Sequence, residues 1–126
     1  MKATGMGLGG GSGWAILTFE LDTGALRTIS SGNHTQVLAT SVPLLVLDMY
    51  EHSYQMDFGA AVARYLDAFF ANVNWDEVNR RLERAQRARA ALTGMAAQMN
   101  RVNDDGKLAY SSNAALLVST RRDDRK

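Results

Sequence analysis

The run SVPLLVLDM, residues 41–49, constrains this chain more than any other stretch. It has strand length and is almost unbroken in apolar side chains, so it is expected as a strand covered on both faces, with Pro43 at its start where a missing N–H does little harm. It opens directly into LDMYEHSY, residues 47–54, where an acid, an acid–histidine pair and three hydroxyl side chains crowd together. Strand ends that open into polar clusters are common places for chemistry.

The rest of the chain supplies partners for that strand. With 126 residues and 46% apolar side chains there is material for one core. WAILTFEL and ALRTISS are rich in β-formers, and DTG at residues 22–24 between them is a hairpin turn. After Glu51 the period changes: Val62, Tyr65, Leu66, Phe69, Phe70 and Val73 form a helical stripe that must pack on the sheet, with Trp75 assigned to the core beside the two phenylalanines. Asn74 stops that helix and caps the next, which has Asp76 and Glu77 in its first turn and a narrower apolar side of Val78, Leu82 and Ala85. The expected fold is α+β: a small three-stranded antiparallel sheet packed with helices.

Both ends lack such periodicity. Gly5, Gly7 and Gly10 have the spacing of a dinucleotide loop, but a strand follows where that loop requires a helix, so residues 1–10 read as a flexible glycine-rich segment. The core domain is expected over residues 11–92, followed by a tail, 93–126, that is either frayed or a small added hairpin.

Charge and composition remove several function classes. A formal charge of +1 gives no global field for a polyanionic partner. Arg80, Arg81, Arg84, Arg87 and Arg89 crowd one helix but have no interleaved stacking aromatics, so they read as a solvated face with no nucleic-acid partner. The absence of cysteine excludes disulfides, thiolate metal sites and cysteine nucleophiles. No stretch approaches the roughly 20 apolar residues of a membrane span, and the first 14 residues lack an apolar h-region, so no membrane association and a cytoplasmic location are expected.

Asp48 and His52 stand four residues apart, a spacing that can bring a carboxylate oxygen and an imidazole nitrogen to one cation. They make half of a coordination shell, and D-x-x-x-H also arises by chance as a surface pair. The second histidine, His34, lies between the second and third strands, where the sheet could carry it to the same end. On residue types alone, three such ligands leave a zinc hydrolase open.

GSGW (residues 11–14), Asn33–His34, PLLVLDMYEHSY (43–54) and ARYLDAFFANVNWDEVNRR (63–81) together resemble, in order and spacing, the C-terminal domain of the iron/manganese superoxide dismutases. The resemblance covers residues 11–84, and the D-x-[WFY]-E-H-[AS]-Y block followed by V-N-W is specific to that family. It implies that Asp48 and His52 are metal ligands for iron or manganese, one ion per subunit, and that superoxide anion is the substrate. His34 then makes an outer-sphere hydrogen bond to metal-bound solvent and is not a third ligand. The resemblance likewise implies that Glu51 reaches across a homodimer to the partner's metal-binding histidine and that Trp14 and Tyr50 wall the pocket.

Several positions depart from the family pattern. Tyr50 replaces the commoner tryptophan, Ile16 replaces another, and Gln55 takes the place of an interfacial tyrosine. Family members take two further histidines from an N-terminal helical hairpin. That hairpin is expected to be absent here, and the opening residues fit the interior of a longer reading frame. The alternative is a truncated or non-catalytic interaction domain.

Overall fold

The computed structural model describes residues 1–99. The chain divides into two units, the first Met1–Arg89 and the second beginning at Ala90. The first holds α1 (Lys2–Leu8), β1 (Trp14–Glu20), β2 (Leu26–Ser31), β3 (Ser41–Asp48), a 3-10 turn (Glu51–Ser53), α2 (Gln55–Phe58), α3 (Val62–Ala71) and most of α4 (Trp75–Met99), which runs on into the second unit.

The three strands form one antiparallel sheet in the order β2-β1-β3, as the sequence leads one to expect. β1 lies in the centre, which explains why Ala15, Ile16, Thr18 and Phe19 are all buried, on both faces. Its first residue, Trp14, pairs with Ser31 at the end of β2 and with Asp48 at the end of β3. Antiparallel register therefore gathers one end of all three strands at a single edge of the sheet.

β3 is not covered on both faces, as its apolar sequence suggests. It is an edge strand, with Val46 40% exposed and Leu44 and Leu47 buried. The ladder slips between Leu17 and Thr18, which pair with Leu45 and Pro43, so Leu44 is the extra residue of a β-bulge. Pro43 sits inside the strand beside that bulge, a position an edge strand tolerates.

Two clusters hold the unit together. Ala15, Leu47, Met49, Tyr54 and Leu66 fix α3 at the end where β3 finishes. Phe19, Leu44, Val78 and Ala85 fix α4 at the opposite end. Asn74 caps α4 as its sequence foretells, its Oδ1 accepting the Glu77 N–H at 3.0 Å. Trp75, expected in the core, is 49% exposed; at the first position of α4 it precedes the apolar side begun by Val78.

Residues 2–8 are helical where a flexible segment is expected. Glycine serves close approach here: a Cβ on Gly5 would come within 2.9 Å of Leu47 Cδ2 and 3.0 Å of Leu66 Cδ2. Packing on that cluster, with an ion pair from Lys2 to Asp67 on α3, outweighs the poor helix propensity of glycine. α4 continues to Met99, past the expected start of a tail at residue 93; the remainder of that tail lies outside the described residues.

Two of the five arginines of α4 do more than face solvent. Arg81 Nη1 donates to the carbonyl of Leu44, the bulged residue, at 3.2 Å, and Arg89 Nε donates to that of Leu21 at 3.0 Å. Arg80, Arg81 and Arg84 also meet Glu77 at 2.9, 3.0 and 3.2 Å. The hydrogen bond from Arg81 and the charges of all three hold the Glu77 carboxyl below its ordinary pKa, against a smaller opposing effect of burial.

Candidate metal centre

Each side chain at the gathered end of the sheet is placed by a local device. Gly13 precedes Trp14 with φ +139°, where a Cβ would meet the Ser31 carbonyl oxygen at 2.6 Å, so glycine is required for β1 to start against β2. Beyond β2, Asn33 Oδ1 accepts the N–H groups of Thr35 and Gln36 at 3.0 and 3.1 Å, an Asx turn that bends the chain around His34. Trp14 Nε1 donates to His34 Nδ1 at 3.1 Å. Indole can only donate, so Nδ1 is the acceptor and the proton of the neutral imidazole resides on Nε2.

Asp48 ends β3. Its Oδ1 accepts the N–H of Tyr50 at 2.9 Å, which fixes the carboxylate plane. Its Oδ2 stands 3.4 Å from His52 Nε2. Two donors about 2.1 Å from one first-row cation, between about 90° and 120° apart, are separated by about 3.0 to 3.6 Å. The separation falls in that range, as it does in the range of an ordinary histidine–carboxylate pair, and an oxygen–nitrogen donor set suits iron or manganese.

The pair is open to solvent, with the His52 side chain 72% exposed and that of Asp48 26% exposed. Tyr50 lies between the two imidazoles, its ring stacked on His34 at 5.0 Å and on His52 at 5.8 Å, with Trp14 edge-on at 5.7 Å. Trp14, His34, Asp48, Tyr50 and His52 are thus brought into one neighbourhood. Glu51 stands beside them, exposed at the head of the 3-10 turn. Among the described residues no three or more histidine, cysteine, aspartate or glutamate side chains form a group able to hold a metal ion.

One contributor is not foreseen from the sequence, and Ser53 figures there only as one hydroxyl of the polar cluster. Tyr65, assigned there only to an apolar stripe, donates its hydroxyl to the Asp48 carbonyl at 2.8 Å, and Ser53 Oγ approaches the same carbonyl at 3.0 Å. A tyrosine where a phenylalanine would fill the space carries a hydroxyl that needs a partner, and that is the available signal.

The family model for the iron/manganese superoxide dismutases, C-terminal domain, matches residues 1–81. The chain belongs to this family. The match takes in α1 and stops early in α4. An iron superoxide dismutase of Cupriavidus metallidurans is 47% identical over 85 residues, covering 68% of this chain and 43% of its own. One from Aquifex aeolicus, also named for iron, is 43% identical over 81 residues, or 64% of this chain and 38% of its own. A manganese enzyme of Halobacterium salinarum is 43% identical over 75 residues, or 59% and 38%. The chain therefore spans about two-fifths of the length of these curated relatives. Among the described residues of this superoxide dismutase domain, no helix is long and apolar enough to cross a membrane.

Proposed function

We propose that this chain is the C-terminal part of a superoxide dismutase catalytic unit, acting in the cytoplasm as a homodimer with one iron or manganese ion per subunit. The observation that carries the reading is the 3.4 Å approach of Asp48 Oδ2 to His52 Nε2, in a chain of this family. Iron or manganese, when bound, supplies the one-electron couple by which two superoxide anions and two protons become dioxygen and hydrogen peroxide. Asp48 lowers the positive charge of the site through one oxygen while its other is kept on Tyr50 N–H. His52 adds a neutral donor. His34, with Nδ1 engaged by Trp14, is left with Nε2–H as the hydrogen-bond donor it offers to the pocket. Tyr50 separates the imidazoles and walls the site. Glu51 is exposed next to His52; in this reading it lies on the homodimer contact and its carboxylate orients His52 of the second copy through a charge-assisted bond.

The second reading, a non-catalytic interaction domain, draws on the lack of a third ligand among the described residues. Two donors hold an ion weakly unless others complete the shell. Metal content and superoxide turnover of the purified chain, measured beside His52→Ala, separate the two. Iron or manganese bound by the parent and lost in the variant is the expected result. Equal metal in both, or none in either with a soluble assembly, supports the interaction domain.

A further inference from the structure

The exit of β3 is held from one side by a helix that contributes no metal ligand. Tyr65, on α3, donates to the Asp48 carbonyl at 2.8 Å. Its ring is fixed by stacking on Tyr54 at 5.0 Å and by tilted contacts with Phe58 and Phe69, while Leu66, the next residue, is fully buried in the core. The hydroxyl is therefore mounted on a rigid support. Ser53 Oγ reaches the same carbonyl at 3.0 Å but lies nearer the Tyr50 carbonyl, at 2.8 Å, and one hydroxyl proton cannot fully serve both. Tyr65 is the donor whose single proton belongs to Asp48.

The orientation of that carbonyl is the orientation of the peptide leaving Asp48. The same peptide plane sets where the chain goes over the next four residues, and so where the His52 imidazole lies relative to the carboxylate. We propose that Tyr65 is a positioning residue for the metal site, acting through the Asp48 backbone to set the spacing of the Asp48–His52 pair, with Ser53 as its weaker auxiliary. The inference rests on the reading of that pair as metal ligands. Nothing in the apolar stripe requires the hydroxyl: phenylalanine would fill the same space.

Binding of Mn2+ to the full chain, followed by loss of the six-line electron paramagnetic resonance signal of the free ion, tests this without recourse to turnover. Tyr65→Phe is expected to weaken binding about tenfold, the lower end for a group that orients a ligand, and Ser53→Ala about threefold. Both should broaden the spectrum of the bound ion. Val78→Ala, which loosens the opposite end of the sheet, is expected to leave affinity unchanged, separating positioning from general destabilisation. If Asp48→Asn loses binding while Tyr65→Phe matches the parent, this inference is overturned and the ligand reading stands. If Asp48→Asn binds as the parent does, both fall. Should Tyr65→Phe fail to fold by circular dichroism, Ser53→Ala decides, and unchanged affinity there overturns the proposal.

Discussion

Where β3 leaves the sheet, Asp48 has one carboxylate oxygen tied to a backbone N–H and the other turned toward an exposed imidazole, whereas at the opposite end Glu77 meets three guanidiniums and Arg81 and Arg89 meet main-chain carbonyls. At the far end the charges close on one another and on the backbone, which makes them parts of the scaffold. At the near end the carboxylate is tied to the backbone and the imidazole beside it is left open, an arrangement a ligand site can use. Arg81 meets β3 at the Leu44 carbonyl, four residues and so roughly 13 Å of extended strand from Asp48. That exceeds the Debye length of about 8 Å at physiological salt, so the arginines of α4 are poor guides for an anion approaching Asp48.

The largest effect should come from removing the support under the near end. Leu66→Ala empties a fully buried position shared with Leu47, Met49 and Tyr54, and should cost about 2–5 kcal/mol in denaturant unfolding, with metal binding weakened as well. Next comes the far end. Arg81→Met leaves the bulged Leu44 carbonyl without its donor and should cost about 1–3 kcal/mol, while Arg80→Met, which loses only an exposed ion pair, should change stability by less than about 1 kcal/mol. Equal losses for the two arginines would erase the distinction between backbone-binding and solvated guanidiniums.

The smallest effect is the acid response. The Glu77 carboxyl titrates below its ordinary value in the folded chain, chiefly through the hydrogen bond from Arg81, and Glu20 does so chiefly through the hydrogen bond from Thr23, with Arg27 adding to it. A depressed folded pKa gives stability that is present above the unfolded pKa and lost as pH falls through the folded one. Thermal midpoints should thus hold steady above about pH 6 and decline below about pH 4.5, with a shallower decline in Glu77→Gln. An identical acid slope in that variant would show that the arginine cluster adds nothing to folding.

The sequence made the sheet legible because β-rich runs, the turn at residues 22–24 and the apolar strand before Asp48 all pointed the same way. Asn74 was legible for a local reason: capping depends on residues close in sequence. What stayed hidden depends on contacts distant in sequence. Glycines read as flexibility at residues 5 and 7, whereas Gly5 is where α1 comes down on Leu47 and Leu66. An apolar run suggested two covered faces, but the place of β3 at the sheet edge, which only the topology decides, leaves Val46 exposed. Spacing brought Asp48 and His52 together in prospect, yet gave no sign that Tyr65, 17 residues beyond Asp48, would hold the carbonyl of the first.

The convergence of Asp48 and His52 on one cation is tested most directly by pulsed electron paramagnetic resonance of Mn2+ added to the full chain. Modulation from a directly bound nitrogen is expected in the parent and should vanish in His52→Ala, with affinity falling sharply in Asp48→Asn. Bound Mn2+ with no nitrogen modulation, or with modulation that survives His52→Ala, would contradict that convergence.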